Sequence, residues 1–524
     1  MKEKLIILGA GVMQGPAIRI AKELGLYIIA LDGSSQAPCI SLADQFEQID
    51  LKDKEGIETF ARSLQSSSGR LGIMTAGTDF SASVAWVAEK LGLPGIPYES
   101  ALNASDKSRM RECFKKSGLP SPEFFTITAA DSFESLPLPF PIVIKPVDNM
   151  GSRGCRRVDS IGEFHESAKT AINFSRSGRA IVEAFMDGPE FSVDAIVYNN
   201  EITICGLADR HIFFPPYFIE MGHTMPTVIK EEKQSAMLET FCAGVRSLGL
   251  TGDGYIGAAK GDIKLTAKGP MIGEIAARLS GGYMSGWTYP YSSGAQPIKA
   301  AVLAAMGRRP EGLIPTKKWT CAERAFISIP GTVKEIAGLD QARNQINVKD
   351  LFLRIGKGSK VSFPENNVTK CGNIIAAAED RDSAVTSAET AARSILIKLD
   401  PADGQTAAFL STCSAFPPDA FHLTDEIKAA LSKIPDASPQ KNTDGAEFTI
   451  IPFPALTSSG LKDYMGRTVQ ETLQAVRLLT GFPLPEVSEN ADNKYRLGRS
   501  FWTALIRGSY QGAVYYIEQF AIGN

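Results

Sequence analysis

The sequence predicts an α/β fold with a doubly wound N-terminal domain, joined to α+β regions and a further C-terminal domain. Three observations predict it. The apolar run Lys4-Leu5-Ile6-Ile7-Leu8 turns through Gly9-Ala10-Gly11 into a helical pattern, and a second apolar run ends at Asp32. This is a β-α-β unit and calls for a parallel sheet. Beyond residue 180, strand patterns follow one another as hairpins instead of alternating with helices. Finally, 524 residues with 44% hydrophobic and 22% charged side chains are balanced like a globular chain with a sizeable core.

Each element follows in order. A strand over 4–8, a helix over about 16–24 and a strand over 27–31 open the chain. A strand over 72–75 and an amphipathic helix over 82–91 complete a doubly wound domain at 1–104. Pro94, Pro97, Pro120 and Pro122 mark turns around a helix at about 107–117. Strands over 142–145 and 180–183 come next, and then two hairpins, 191–198 with 201–207 and 261–265 with 271–275. These belong to a second domain, 105–318, with a mobile lid at about 120–180. A mixed segment, 319–402, contains a helix over 384–397. Pro401-Ala402-Asp403-Gly404 is predicted as a linker to an additional domain, 405–524, with a helix over 469–479.

Bulk properties exclude several functions. A net charge of -3 without a Lys/Arg run gives no footprint for nucleic acid. No apolar stretch approaches the ~20 residues that span a bilayer, so no membrane partner is expected. The start lacks a signal-peptide pattern. The eight cysteines, Cys413 among them, are scattered without C-x-x-C pairs, which fits a reducing, cytoplasmic setting. A homodimer is the expected assembly.

Gly9, Gly11 and Gly15 approach a dinucleotide fingerprint, with Asp32 at the end of the second strand. The third glycine lies four residues after the second, where the fingerprint needs three, and Gln14 takes its place. The domain is therefore read as a related fold used otherwise.

Stronger chemistry lies further on. Lys145 ends a strand just before a turn containing Gly151, Ser152 and Gly154. Backbone N–H groups in such a turn, with a lysine nearby, make a phosphate cradle. Glu183 and Glu190 flank Gly188-Pro189, and a carboxylate there can accept from an adenine amino group or ribose hydroxyls. Asp262 and Glu274 lie on the two arms of a hairpin. Adjacent carboxylates repel unless a cation sits between them, which suits Mg²⁺. Arg278, four residues on, could neutralise charge on a transferring phosphoryl group.

In their order, residues ~1–400 resemble the ATP-grasp superfamily, in the carboxylate–amine ligase branch that includes L-amino-acid ligases, with carbamoyl-phosphate synthetases and biotin carboxylases as relatives. The entry segment is Asp106-Lys107 with Met110-Arg111 and Gly118-Leu119-Pro120-Ser121-Pro122. The second lysine strand is Ile142 to Pro146, and Gly151-Ser152-Arg153-Gly154 resembles the phosphate loop. Val182 to Asp194 resembles the adenine and ribose segment, and Gly273 to Gly282 the metal-and-arginine segment.

The resemblance implies that Lys107 and Lys145 contact nucleotide phosphates. It implies that Glu183 and the backbone at Phe185 and Met186 hold adenine, and that Glu190 holds ribose. Asp262 and Glu274 would bind Mg²⁺, with Mn²⁺ able to replace it, and Arg278 would be catalytic. The pattern departs at Asp262, often Glu in the family, and at Ala276, where many members carry Asn. In the same branch, a segment similar to Tyr217-Phe218-Ile219-Glu220-Met221-Gly222-His223 lines the substrate pocket. Glu220 could meet an ammonium group there and His223 could orient a substrate or relay a proton.

The function implied is an ATP- and Mg²⁺-dependent ligase. It would join a small carboxylate, such as an amino acid, to an amine through an acyl-phosphate, releasing ADP and phosphate. The alternative is a non-catalytic nucleotide-binding protein that keeps the fold.

Overall fold

A computed structural model describes residues 2–521 apart from 66–68, 130, 132, 413, 437–448 and 482–495. Cys413 thus lies outside the described residues. The chain forms two compact units, one of residues 1–323 with 377–385 and one of residues 324–376 with 386–524. The four-segment division given above remains a proposal, and its segment 319–402 is shared between the two units.

The first unit opens with β1 (Lys4–Leu8), α1 (Gly15–Glu23), β2 (Tyr27–Asp32), β3 (Gln45–Gln48), α2 (Lys54–Gln65), β4 (Leu71–Thr75) and α3 (Ser81–Leu91). The strands form a parallel sheet in the order β3-β2-β1-β4. Leu5 and Ile7 join one buried cluster with Ala17 and Ile18, while Ile6 and Leu8 join another with Ile57 and Val87. Both faces of β1 are covered, which is why its sequence is an unbroken apolar run. The pattern reading did not include β3 or α2. The Gln-Phe-Glu-Gln sequence of β3 lies at the sheet edge and carries no apolar run.

Two short helices follow, α4 (Tyr98–Ser105) and α5 (Lys107–Lys116). Asp106 caps α5, its side chain accepting from the N–H groups of Ser108 and Arg109. A four-stranded antiparallel sheet comes next, β5 (Phe124–Thr128), β6 (Ile142–Pro146), β7 (Arg156–Val158) and β8 (Arg179–Ala184), in the order β5-β8-β6-β7. Helix α6 (Ile161–Phe174) covers it around Phe164.

The sheet that carries most of the candidate site is antiparallel. It contains β9 (Glu190–Tyr198), β10 (Glu201–Phe213), β11 (Ile219–Met225), β12 (Ile256–Thr266) and β13 (Gly269–Ala276), running β13-β12-β9-β10-β11. Helix α7 (Glu231–Ser247) lies between β11 and β12 in the chain. Phe191, Val193, Phe241, Ile263 and Ile275 form a core under this sheet.

Further along the chain, two expectations are corrected. The helix expected over 384–397 spans Arg381–Ser394. Leu396–Leu399 is instead a strand that pairs antiparallel with Gly331–Ala337, because that short apolar run finds a sheet partner. The expected linker is a capped turn. Asp403 accepts from the Gln405 N–H and from the Thr332 hydroxyl at 2.6 Å and starts the helix Gly404–Ser411. A separate core contains Phe421, Phe453, Val476, Phe501 and Trp502, with Leu396 of the new strand.

Candidate active site

Lys107 is the first residue of α5, and its side chain is buried. Its ammonium donates to the Asn149 carbonyl at 2.8 Å and lies 3.6 Å from Glu274. Lys145, on β6, meets Glu183 on β8 at 2.7 Å. Register alone brings them close, since Lys145 pairs with Ile181 and Val143 with Glu183.

Glu183 is only 2% exposed. Its other oxygen accepts from Arg111 Nε at 2.8 Å, and Arg111 Nη2 continues to the Gly273 carbonyl at 2.5 Å. Burial would raise the Glu183 carboxyl, but Arg111 and Lys145 outweigh it and hold its pKa below the ordinary value. Both oxygens of the expected adenine residue are thus committed to cations here. The Phe185 N–H donates to the Pro141 carbonyl at 3.2 Å, and its ring lies under Arg157. Met186 is half-buried beside it.

The glycine turn has left-handed backbone at Gly151, Ser152 and Gly154, with φ of 69°, 60° and 68°. Glycine adopts this freely and a serine does not. The Ser152 hydroxyl donates to the Phe218 carbonyl at 2.9 Å. The Arg157 N–H donates to the Pro216 carbonyl at 2.8 Å. The phosphate-type turn is therefore tied to the segment before Glu220.

Asp262 and Glu274 face each other across β12 and β13, as the hairpin reading predicts. Burial pushes the Glu274 carboxyl up, but Lys107, Lys260, Lys145 and Arg278 outweigh it and bring its pKa to about 2. Asp262 is already neutralised, by Arg210 at 3.0 Å and by a close contact with Lys260. Among the described residues no group of three or more His, Cys, Asp or Glu side chains is gathered for a metal. An ionised Glu274 fits a Mg²⁺ ion shared with phosphate oxygens. Asp262 fits one only by sharing its oxygens with Arg210 and Lys260.

Arg278 is 7% exposed. Its Nη1 donates to the Leu279 carbonyl at 3.1 Å, and its Nε has no hydrogen-bond partner among the described residues. The other buried arginines each meet a carboxylate, Arg111 with Glu183 at 2.8 Å, Arg467 with Asp463 at 3.6 Å and Arg507 with Asp419 at 2.9 Å. Arg278 therefore acts on the Glu274 and Asp194 carboxylates through space, without a direct ion pair to either.

Next to Arg278, Asp194 on β9 is wholly buried and holds the following loop. It accepts from the Ser280 N–H at 3.0 Å and from the Ser280 hydroxyl. Burial outweighs these hydrogen bonds and pushes its pKa up to about 6.

Glu220 and His223 come together on β11. Glu220 accepts from Arg210 Nη2 at 2.8 Å and lies 3.9 Å from His223 Nδ1. His223 Nδ1 also faces Glu323 at 3.3 Å, and its Nε2 meets the Thr288 hydroxyl at 2.7 Å. The Thr288 hydroxyl also lies 3.1 Å from the Tyr283 carbonyl. Tyr283 and Trp287 stack edge to face at 5.5 Å on the same segment.

Arg210, Lys260, Asp194 and Glu323 were not singled out in the sequence. Arg210 stands in a polar Asp-Arg-His run, which is a weak signal. Lys260 lies two residues before Asp262 on the same strand, a local pairing that the sequence could have shown, whereas the partners of Asp194 and Glu323 are distant in the chain.

Residues 138–285 match the family model described as the ATP-grasp domain, and residues 325–400 match the one described as L-amino acid ligase C-terminal domain 2. The chain is 24% identical to carnosine synthase 1 of Gallus gallus over 335 residues, covering 59% of this chain and 36% of that protein. It is 33% identical to the D-alanine--D-alanine ligase of Marinobacter nauticus over 132 residues, covering 24% of this chain and 39% of that protein. The matches thus span well under half of these two relatives. Among solved structures, the L-amino acid ligase of Bacillus licheniformis superposes with a TM-score of 0.65 at 21% identity, over 76% of this chain and 99% of that one. Phosphoribosylglycinamide synthetase of Anaerococcus prevotii gives 0.60 at 23%, over 76% and 100%. These likenesses establish the fold.

Proposed function

We propose, from the ATP-grasp domain and the L-amino acid ligase C-terminal domain 2 that this chain carries, that the protein is an ATP- and Mg²⁺-dependent ligase. It joins a small carboxylate, of the amino-acid class, to an amine. The observation that carries this reading is Arg278, a buried guanidinium near the ionised Glu274 but in direct contact with no carboxylate among the described residues. A protein that only bound a nucleotide would have no need of Asp262, Glu274 and Arg278 together.

Lys107 and Lys145 supply positive charge to the phosphates, and the turn at Gly151 and Ser152 supplies N–H groups. Arg111 and Glu183 hold Lys145 in place. Glu190 lies on the ribose side, and the backbone at Phe185 and Met186 on the adenine side. Glu274, with Asp262, would hold Mg²⁺, which when bound withdraws charge from the phosphate oxygens. A substrate carboxylate oxygen attacks the γ-phosphorus, the bond to the bridging oxygen breaks, and ADP leaves. The amine then attacks the acyl carbon of the acyl-phosphate. Negative charge on the former carbonyl oxygen faces Arg278, and phosphate departs. Glu220 receives the incoming ammonium, which loses one proton to solvent before it attacks as the free amine; the second proton leaves with the phosphate as the amide forms, and His223 orients the pocket.

The test is a screen of amino-acid pairs with ATP and Mg²⁺, with the nucleotide product identified and the condensed product weighed by mass spectrometry. Stoichiometric ADP and phosphate with an amide product is expected. AMP and pyrophosphate would overturn the acyl-phosphate route.

A further inference from the structure

One guanidinium gathers three carboxylates from three strands. Arg210 on β10 stands opposite Glu190 on β9 and His223 on β11. Its Nη1 bonds Glu190 and lies 3.0 Å from Asp262, and its Nη2 bonds Glu220 at 2.8 Å. Glu190 and Asp262 have other cations within reach, Lys264 at 3.9 Å and Lys260 in close contact. Arg210 is the member common to all three acids. Its charge is therefore divided between the nucleotide side, Glu190 and Asp262, and the pocket side, Glu220.

We propose that Arg210 is a positioning residue that couples the two sides, so that neutralising Glu220 strengthens binding of the nucleotide. The idea rests on the ligase reading above, in which the nucleotide lies against Glu190 and Asp262. An ammonium entering beside Glu220 competes with Nη2 for that carboxylate. The guanidinium then spends less of its charge on Glu220 and more on Glu190, Asp262 and the polyanion beside them. The sign is positive, and linkage makes it reciprocal, so a bound nucleotide also favours the ammonium. Arginine suits the role because its fork of donors serves three acids at once, which the point charge of lysine does not.

The test is a double-mutant cycle read by calorimetry with a non-hydrolysable ATP analogue and Mg²⁺, with no second substrate. Glu220→Gln mimics the neutralised carboxylate. It should tighten analogue binding about fivefold or more, the lower end of common couplings. In an Arg210→Lys background the same change should have less than about a twofold effect. No change on Glu220→Gln, or equal tightening in both backgrounds, would overturn the coupling while leaving the ligase reading intact. If the wild-type protein binds no analogue at all, the ligase reading falls and the coupling with it. If Arg210→Lys does not fold, wild type and Glu220→Gln are compared at about 0.05 and 0.5 M salt. Tightening that vanishes at high salt is long-range charge and overturns the proposal, and tightening that persists supports local handover.

Discussion

Arg111 and Glu183 meet at 2.8 Å with both side chains withdrawn from solvent, and the same carboxylate holds Lys145 at 2.7 Å. This pair joins the helix that begins at Lys107 to the strand that precedes Phe185 and Met186. Removing one partner strands a buried charge, which typically costs 3–5 kcal/mol. Arg111→Met should therefore destabilise the protein by about 3 kcal/mol or more in urea denaturation. The double variant Arg111→Met, Glu183→Gln should recover a good part of that loss. A double variant as unstable as the sum of the two singles would show that the pair is not coupled.

Arg278 should separate binding from chemistry. Arg278→Ala is expected to bind an ATP analogue nearly as wild type does and to turn over ~10²–10³-fold more slowly, the usual effect of losing an oxyanion donor. Arg278→Lys should also be slow, because a point charge does not replace a fork of donors. Steady-state rates beside calorimetric affinities make the distinction. Full-speed turnover in Arg278→Ala would remove this residue from the reaction.

The two acids of the hairpin should differ in metal binding. Glu274 is ionised well into acid and its nearest cation is Lys107 at 3.6 Å, whereas Asp262 already has Arg210 at 3.0 Å and Lys260 in close contact. Glu274→Gln should abolish turnover and weaken Mn²⁺ binding, followed by loss of the free-ion spin-resonance signal in the presence of nucleotide. Asp262→Asn should weaken Mn²⁺ less while still slowing the reaction. Equal loss of Mn²⁺ in both variants would show that Asp262 contributes as a ligand on the same footing.

Asp194 gives a pH signature of definite sign. Burial raises its pKa from 3.8 to about 6, so the folded protein keeps a proton that the unfolded chain releases. This group favours folding most below pH 3.8, and that contribution is lost as pH rises towards 6. Asp194→Asn removes the dependence. The stability of wild type relative to Asp194→Asn should therefore fall between about pH 4 and 6, measured by urea denaturation at each pH. A difference that is flat with pH would mean that Asp194 titrates normally.

The sequence by itself determined the pieces whose physics is local. An unbroken apolar run had to be a strand buried on both faces, and β1 is one. The strand patterns on either side of Thr266 to Pro270 put Asp262 and Glu274 on the two arms of one hairpin, and a register shift between Asp262 and Ile263, which the sequence does not announce, sets them directly opposite. Positive φ at Gly151 and Gly154 was legible as a glycine-rich turn. Tertiary structure decided how the charges are shared. Arg111 finds Glu183 at a separation of 72 residues, and Ser280 finds Asp194 at 86. Such pairs are set by sheet register and by the packing of α5 against β13, neither of which leaves a periodicity in the chain. The helix expected over 384–397 went astray for the same reason. The residues after Ser394 are apolar enough for either state, and only a strand partner at Gly331–Ala337 settled the choice. Arg278 shows both halves together. Its place four residues after Glu274 could be read from the sequence, but its lack of a direct carboxylate contact among the described residues is a property of the folded neighbourhood alone.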